Sequence, residues 1–189
     1  MLTSTELTLG VGILTVNDLH WTQQCVEGAL RCGRGVIDQL VVLDDGSSRR
    51  EHLPELARWL QDRGLYSLGH SQNKGIYAAY QFLCDHLKTD IICLCNNDVV
   101  WSHPKTFLCL KRFFEEDAEV GAAGWPIRNV ETITLVHSPD PCEFVVDKFG
   151  NIVLDANNAP VSRIGGMNPQ KVFFPYGCCF GILREAFLK

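Results

Sequence analysis

The sequence predicts an α/β fold in which a mostly parallel sheet is flanked by helices. The first two-thirds of the 189 residues alternates short apolar runs with amphipathic stretches, which is typical of strand–helix–strand units. Turn-forming polar residues follow several of the apolar runs directly. After about residue 121 the apolar runs become shorter and lie closer together, which predicts a small mixed or antiparallel β region.

The composition is that of a single globular domain, expected to cover residues 1–189. Apolar residues make up 46% of the chain, enough for a core, and the formal net charge is −5. Nucleic-acid and anionic-membrane binding depend on clustered positive charge, so neither partner is expected. No segment has the roughly 20 apolar residues of a membrane span, and the first residues, including Glu6, lack the positive charge of a signal peptide.

The cysteines indicate a reducing compartment, and a cytoplasmic location is expected. There are nine, an odd number, without the Cys-x-x-Cys pairs of zinc sites. Cys93 and Cys95 alternate along an apolar run and Cys109 follows a helical pattern, so most are interpreted as small buried hydrophobic residues. The adjacent Cys178 and Cys179 leave open the alternative of a reactive pair.

Hydrophobic periodicity predicts where the strands and helices lie. The expected strands of the first part cover residues 9–16, 36–43, 66–68 and 90–95. Helices are expected over residues 20–32, up to Gly64, up to Leu87, and from Pro104 onward. The later part is expected to contain strands at 122–127, 132–136, 144–146, 152–154 and 172–183, a hairpin turn at 149–151, a mobile loop over 156–170 and a helix from Arg184.

Four polar clusters are expected at one edge of the sheet, where open α/β sheets bind ligands. Three follow strands directly, and the fourth opens a helix, where backbone amides and a lysine favour an anion. The clusters are Thr15-Val16-Asn17-Asp18, Asp44-Asp45-Gly46-Ser47-Ser48, Asn96-Asn97-Asp98 and Asn73-Lys74-Gly75. Their combination and order, rather than any single cluster, favour a ligand site.

The chemistry of these clusters suits a nucleoside diphosphate sugar. An aspartate at a strand end, such as Asp45, can accept a hydrogen bond from the imide N–H of uracil or thymine or from ribose hydroxyls. Asp98 is a hard oxygen ligand that can hold Mg²⁺ or Mn²⁺ against a diphosphate. Such a cation offsets the charge that develops on a departing diphosphate in glycosyl transfer.

Plainer interpretations stay open for each feature alone. Asp45-Gly46-Ser47 is also typical of a tight turn with a helix N-cap, and Asn97-Asp98 of a cap for the next helix. Asn73-Lys74-Gly75 is often a plain turn, and Trp125 is more typical of a core or rim residue than of an acceptor platform. The six histidines are scattered, and no pair has the spacing of metal ligands.

The ordered motifs resemble those of family 2 glycosyltransferases, especially the rhamnosyltransferase-like branch, over nearly the whole chain. The opening strand ends in a tripeptide (residues 15–17) of the family's Thr-Tyr-Asn type, and residues 41–48 are similar to its Val-Asp-Asp-Gly-Ser segment. Residues 73–79 match its Asn-x-Gly-x-x-x-Ala turn and helix, and residues 94–100 stand at its Asp-x-Asp motif. Later segments at residues 116–124 and 176–187 also fit.

The resemblance implies a GT-A-type, Rossmann-like fold, with residues 1–120 as the nucleotide-binding part and 121–189 as the sugar- and acceptor-side part. The residues that bind the nucleotide sugar would be Thr15, Asn17, Asp45, Asn73, Lys74, Asn96, Asn97 and Gly177. Of these, Thr15, Asn17 and Asp45 would face the nucleobase and ribose. Asp98 would ligate Mn²⁺ or Mg²⁺, and the turn at residues 177–178 would border the donor sugar or acceptor.

Two departures from the family pattern affect these expectations. Asn96 stands at the first Asp-x-Asp position, which lowers the negative charge available to a metal. The family's catalytic base belongs to a Glu-Asp pair downstream of the Arg-Glu-Ala-Phe segment at residues 184–187, and the sequence reaches only Lys189. No catalytic base is therefore named, and the chain is expected to be truncated, completed by another polypeptide, or slow.

The expected function is transfer of a sugar, with inversion, from a nucleotide-sugar donor to a hydroxyl of a glycan or other acceptor. UDP- and dTDP-sugars are favoured and GDP-sugar is the alternative donor. The alternative functions are a non-catalytic nucleotide-sugar binding module and a fragment that needs a further segment for activity. A nucleotidyltransferase, a receiver domain and a dinucleotide dehydrogenase are disfavoured, because the glycine-rich or acidic motifs that they need do not follow the appropriate strands.

Overall fold

A computed structural model of the protein describes residues 6–116, 121–125, 127–130, 133–136, 142–144, 161–163, 170–171 and 179–187. The strands are β1 (Leu9–Thr15), β2 (Gln39–Asp44), β3 (Ser67–Gly69), β4 (Ile91–Asn96), β5 (Val99–Trp101), β6 (Ala122–Gly124), β7 (Ile127–Val130), β8 (Ile133–Val136), β9 (Cys142–Phe144), β10 (Val161–Arg163), β11 (Gln170–Lys171) and β12 (Cys179–Leu183). The helices are α1 (Leu19–Cys32), α2 (His52–Gln61), α3 (Ile76–His86), α4 (Thr106–Glu116) and α5 (Arg184–Phe187). None of the helices in the described part of the chain is long and apolar enough to cross a membrane.

Nine of the strands form one sheet, in the order β11-β10-β9-β6-β12-β4-β1-β2-β3. The four strands β3, β2, β1 and β4 are parallel to one another. β12 runs antiparallel between β4 and β6, and β9, β10 and β11 continue the sheet in antiparallel pairs. A second sheet, β5-β8-β7, is mixed. The fold is therefore parallel in its first half and mostly antiparallel in its second.

Helices cover both faces of the parallel strands, so these strands are apolar on both faces. On one face, α1, α2 and α4 pack against alternate strand residues such as Val11, Val42 and Cys93. On the other face, α3 packs against the residues between them, such as Val41 and Leu94. This arrangement confirms the predicted α/β class with a mostly parallel sheet flanked by helices.

Two glycines in β1 allow α3 and the segment after it to lie close to the sheet. A Cβ atom on Gly12 would lie 3.2 Å from Leu83 Cδ1 in α3, and one on Gly10 would lie 2.4 Å from Thr89 Oγ1 in the following segment. Both contacts are closer than ordinary van der Waals contact, so a larger residue would displace α3 or the segment after it. The position of α3 matters because its first residues border the candidate site described below.

The chain reverses its direction of travel across the sheet at β1. From β1 it passes outward to β2 and β3, and then returns to form β4 on the other side of β1. The loops that leave the carboxyl ends of β1 and β4 therefore diverge, and a crevice opens between them. Ligands of open α/β sheets bind at such a switch point.

An aromatic cluster joins the two sheets. Trp101 in β5 lies with its ring centroid 5.4 Å from that of Trp125 and 4.6 Å from that of Phe107 in α4. All three side chains are fully buried. Trp125 is therefore a core residue, as the plainer interpretation of the sequence expected.

The predicted elements of the first part are confirmed with shifts of a few residues at their ends. The short strand β5 is additional, because Val99 and Trp101 bury their side chains directly after the polar turn. The helix expected from Pro104 begins at Thr106, whose hydroxyl donates to His103 O over 2.8 Å.

Several predictions for the later part need correction. The single strand expected at 122–127 is two strands, β6 and β7, in different sheets, because the chain turns where Trp125 enters the core. The loop expected at 156–170 contains β10, which pairs between β9 and β11. The strand expected at 144–146 lies at Cys142–Phe144, and only Cys179–Leu183 of the strand expected at 172–183 is described. The strand at 152–154 and the turn at 149–151 lie outside the described residues.

Most of the cysteines whose side chains are described are buried. Of these seven, six are buried and Cys109 is partly exposed. Burial, with a smaller contribution from Asp85, raises the pKa of Cys84 to about 11. Burial likewise raises the pKa of Cys95 well above its ordinary value. Thiolates are disfavoured at both positions, so neither cysteine has the character of a reactive thiol. Cys178 lies outside the described residues.

We expect the stability of the fold to depend on Asp90 in a pH-dependent way. Asp90 Oδ2 accepts hydrogen bonds from Thr8 Oγ1 at 2.6 Å and Thr8 N at 2.8 Å, and these bonds lower the pKa of Asp90. A lowered pKa in the folded state adds stability above the unfolded pKa, and this is lost as the pH falls through the folded value. Because Asp90 is exposed, Asp90→Asn should cost only about 1 kcal/mol at pH 7.

The measurement is urea unfolding of wild type and Asp90→Asn at pH 7, 5 and 3. The difference between them should be full at pH 7 and should shrink below about pH 4. A difference that stays constant across this range would contradict the role given to the Asp90 charge.

Candidate functional site

A cavity of about 630 Å³ lies at the carboxyl ends of β1, β2 and β4, beside the first residues of α3. It therefore occupies the switch point of the sheet. Its lining residues are Leu14, Thr15, Val16, Asp18, Trp21, Asp45, Asn73, Gly75, Ile76, Asn96, Asn97 and Asp98. Seven of the eight predicted nucleotide-sugar residues lie in or beside the cavity, and the structure brings residues of all four polar clusters together here.

Of the predicted residues, five line the cavity together with the predicted metal ligand. These are Thr15, Asp45, Asn73, Asn96, Asn97 and, as the metal ligand, Asp98. Asn17 and Lys74 are exposed next to it and do not line it. Gly177 lies outside the described residues. The assignment of these residues to a nucleotide sugar stays a prediction.

Asn17 connects the loop after β1 to the loop after β2. Its backbone has φ of 59°, in the left-handed region that asparagine tolerates better than most residues. Its N–H donates to Ser47 Oγ over 2.7 Å, and its Oδ1 accepts from Ser48 N over 2.8 Å. The Asn17 side-chain oxygen thus orders the loop, and the predicted contact of Asn17 with a nucleobase has no counterpart in the cavity lining.

Asp45 is buried, with 1% of its surface exposed, and its carboxylate is fully used within the protein. Oδ1 accepts from His70 Nδ1 over 2.6 Å and from Lys74 N over 3.0 Å. Oδ2 accepts from Gly75 N over 3.0 Å and again from Lys74 N over 3.2 Å. A carboxylate has about four acceptor positions, and these four contacts occupy them.

This arrangement changes the expected role of the turn at residues 73–75. The sequence suggested that its amides would face a bound anion, whereas the amides of Lys74 and Gly75 face the Asp45 carboxylate. Asn73 Oδ1 accepts from Gly75 N over 2.9 Å, which closes the turn. The geometry of Asp45 therefore gives no preference for an imide-bearing base, and the preference for uridine or thymidine stays a prediction.

Gly46 allows the loop after β2 to contact the segment before α3. Its φ is +68°, and a Cβ atom there would lie 2.1 Å from Gln72 C and 2.2 Å from Asn73 N. Glycine is therefore needed for its backbone conformation and for the missing side chain. In addition, Asp44 Oδ1 accepts from Ser47 N and Ser47 Oγ, which shapes the same loop. The turn interpretation of this segment is correct as local geometry, and the turn also forms one wall of the cavity.

The floor of the cavity is held by hydrogen bonds between β1, α1 and β4. Thr15 Oγ1 lies 2.6 Å from Thr22 Oγ1, so the Thr15 hydroxyl already has a hydrogen-bond partner in α1. Asn97 Nδ2 donates to Asp18 O over 3.3 Å and to Thr22 Oγ1 over 3.2 Å. These bonds hold the loop after β4 against the loop after β1.

Asn96 is oriented by α3. The Tyr80 hydroxyl donates to Asn96 Oδ1 over 2.7 Å. The side-chain amide nitrogen of Asn96 is then the group that can donate to a ligand hydroxyl. This orientation is compatible with the predicted place of Asn96 near a ribose or sugar.

Asp98 carries an unsatisfied oxygen. Its Oδ1 is buried and has no hydrogen-bond partner among the described residues. Burial raises the pKa of Asp98, a hydrogen bond from its own backbone lowers it, and the Asp18 carboxylate raises it further. A buried carboxylate oxygen without a donor is costly unless a ligand or cation completes it.

These residues fit a divalent cation whose coordination is completed by its ligand. The described residues contain no group of three or more His, Cys, Asp or Glu that could hold a metal alone. Mg²⁺ sites commonly use one or two carboxylates together with substrate phosphates and water. Asp98 supplies a hard oxygen of the required kind, and its assignment as the metal ligand stays a prediction.

Four supporting residues were given no role from the sequence, although Asp18 belongs to one of the predicted polar clusters. Asp18 and Trp21 line the cavity from the start of α1, His70 donates to Asp45, and Tyr80 donates to Asn96. Asp18 carries a sequence signal, because it lies between a predicted strand and a predicted helix. His70 and Tyr80 carry none, since their partners lie 25 and 16 residues away in the chain.

The sequence model for the family described as "Glycosyl transferase family 2" matches residues 11–189. The match covers nearly the whole chain. This chain belongs to glycosyl transferase family 2. The family and the GT-A fold expected from the motifs are confirmed, whereas the rhamnosyltransferase-like branch and the truncation stay predictions. No curated protein matches this member of the family at a significant level.

Solved structures of glycosyltransferases share its fold. GalNAc-T7 with UDP, GalNAc and Mn²⁺ has a TM-score of 0.63 at 14% identity, covering 96% of this chain and 36% of that one. A mannosyltransferase from Pyrobaculum calidifontis, in complex with GDP-Man and Mn²⁺, has a TM-score of 0.56 at 18% identity, covering 66% and 36%. Glucosyl-3-phosphoglycerate synthase from Mycobacterium tuberculosis, with Mn²⁺, UDP and phosphoglyceric acid, has 0.51 at 17%, covering 61% and 42%. The chain thus spans well under half the length of these proteins.

We expect Gly46→Ala to disturb both stability and the cavity. Gly64→Ala is the matched control, since Gly64 has φ of +70° but no atom within 4 Å of an added Cβ. Gly64→Ala should cost about 1 kcal/mol from backbone conformation alone. Gly46→Ala should cost about 3 kcal/mol, because the backbone at residues 72–73 must also move.

Urea unfolding of the two variants measures this difference. Equal losses in both variants would show that the contact between Gly46 and residues 72–73 contributes nothing. Amide hydrogen exchange at Lys74 and Gly75 provides the second measurement, and it should speed up only in Gly46→Ala.

Proposed function

We propose that the cavity binds a nucleoside diphosphate sugar and that the protein transfers the sugar to an acceptor hydroxyl, assisted by Mn²⁺ or Mg²⁺. The observation that carries this proposal is the buried, unpartnered Asp98 Oδ1 in a cavity at the switch point of the sheet. A bound cation would satisfy this oxygen and face a diphosphate at the same time. Membership of glycosyl transferase family 2 supports the reaction class.

The charge of the cavity supports a requirement for the cation. Asp18, Asp45 and Asp98 line it, and its described lining contains no lysine, arginine or histidine. A diphosphate would be repelled by this surface unless positive charge came with it. When bound, a divalent cation would supply that charge and stabilise the diphosphate as leaving group.

The chain's own residues would orient the donor. Asn96, held by Tyr80, would donate its side-chain N–H to a ribose or sugar hydroxyl. Asn73 and the exposed Ile76 both line the cavity, and the nucleoside would bind beside them. Thr15 and Asn97 would act through the loops that they hold, since the Thr15 hydroxyl and the Asn97 side-chain nitrogen already have partners.

The ligands found in structurally similar glycosyltransferases support the same class of donor. The mannosyltransferase was solved with GDP-Man and Mn²⁺, and the synthase with UDP and Mn²⁺. UDP- and dTDP-sugars remain the favoured donors of the proposal, with GDP-sugar as the alternative. Transfer with inversion, to a glycan or another hydroxyl acceptor, is proposed from the family alone. No described residue is assigned as the catalytic base.

We expect one nucleoside diphosphate to bind only in the presence of Mn²⁺. Calorimetric titration of UDP, dTDP, GDP and NADH, each with and without Mn²⁺, tests this. Asp98→Ala should weaken the metal-dependent binding by at least about tenfold, because it removes the carboxylate that faces the cation. Asp62→Asn, an exposed charge change at the end of α2, should leave the binding unchanged.

The outcomes separate the possible functions. A folded protein that binds none of the diphosphates would contradict the proposed site. Diphosphate binding without release of nucleotide from any matching sugar donor, alone or with acceptors, would favour the non-catalytic binding module. Loss of a general base costs about 10²–10⁴-fold in rate, so the release assay must be sensitive over that range.

A further inference from the structure

Asp18 is a second carboxylate in the cavity, outside the Asp-x-Asp position of the chain. It lies in the loop between β1 and α1 and is the N-cap of α1, where its Oδ1 accepts from Trp21 N over 3.0 Å. Within the described part of the chain, no hydrogen bond is formed to its Oδ2. Asp18 and Asp98 both line the cavity. One oxygen of Asp18 thus serves the helix, and the other remains for the cavity.

The segments that carry Asp18 and Asp98 are held together directly. Asn97, the neighbour of Asp98, donates its Nδ2 to the backbone oxygen of Asp18 over 3.3 Å. Thr22 in α1 also donates to that oxygen through its hydroxyl. The two segments that carry the carboxylates are therefore held together by hydrogen bonds within the protein.

Among the residues that the structure describes, neither the Asp18 nor the Asp98 carboxylate forms an ion pair. The ion pairs among the described residues are Arg63–Glu27, His70–Asp45 and Lys111–Glu6. Asp45, the third carboxylate of the cavity, has its histidine and backbone amides, whereas Asp18 and Asp98 have no cationic partner there.

Asn96 supplies no carboxylate at a position where a metal site could use a second negative charge. It stands where an Asp-x-Asp motif has its first carboxylate, and its Oδ1 accepts from the Tyr80 hydroxyl. A cation at Asp98 therefore has only one acidic ligand from the strand end of β4. Affinity for hard divalent cations depends on the number of charged oxygen ligands.

We propose that Asp18 is the second acidic group of the divalent-cation site, acting with Asp98 from the opposite loop in place of the carboxylate that Asn96 lacks. This inference rests on the proposed function, since it concerns the cation of the same site. It assigns the charge of Asp18 to the cation and its Oδ1 to the helix cap. The site is then built from two loops that diverge at the switch point.

Substitution by asparagine separates the two roles of Asp18. Asparagine is as good an N-cap as aspartate, so Asp18→Asn keeps the acceptor for Trp21 N and removes the charge. We expect Mn²⁺ binding, followed by electron paramagnetic resonance of free Mn²⁺ without nucleotide, to weaken about tenfold in Asp18→Asn. Asp62→Asn should bind as wild type does, and Asp98→Ala should show the largest loss.

Each outcome of the titration decides a different question. If Asp18→Asn binds Mn²⁺ as tightly as wild type while Asp98→Ala does not bind, Asp18 is only a helix cap, and the proposed function stands. If wild type does not bind Mn²⁺ with or without UDP, dTDP or GDP, both this inference and the metal-assisted function fail. Asp18→Ser, which also keeps a cap acceptor, is measured in parallel so that the result does not depend on one variant folding.

Discussion

The Asp45 carboxylate lies buried between the loop after β2 and the first residues of α3, and the shape of the candidate site depends on the hydrogen bonds that it accepts there. A buried charge is costly, and this one is compensated by His70 and by two backbone amides. Gly46 allows the two segments to meet at backbone contact. Asp45, which the sequence analysis assigned to ligand binding, therefore shapes one wall of the cavity.

The opposite wall follows from the order of the strands. Because β1 lies between β2 and β4, the loops after β1 and β4 border one crevice, and Thr22 and Asn97 connect them beneath it. These hydrogen bonds engage the Thr15 hydroxyl and the Asn97 side-chain nitrogen. What remains for a ligand is mainly the Asn96 amide and the carboxylates of Asp18 and Asp98, which gives the cavity its negative character and its fit to a cation.

Some residues of the cavity set its shape, and others offer groups to a ligand. This separation is compatible with the proposed glycosyl transfer, although Asn96 alters the Asp-x-Asp motif. Residues at the back, such as Asp45 and Thr15, have partners within the protein and set the shape. Asp98 has a buried oxygen without a partner among the described residues, and a cation that enters the cavity would satisfy it. The proposed reaction class rests on the family, whereas the proposed metal requirement rests on this local imbalance of donors and acceptors.

The sequence by itself determined the strand–helix alternation, the polar clusters at the strand ends and the family, because periodicity and motif order are local properties of the chain. The tertiary structure decided which of the clustered groups are free. Asp45 meets donors 25 to 30 residues away, and Asn97 meets Asp18 across 79 residues. The same reason applies to β6 and β7. The sequence predicts one strand there, whereas in the structure the buried Trp125 lies between two strands. Partners that distant depend on how helices pack on the sheet, and no local pattern encodes that packing.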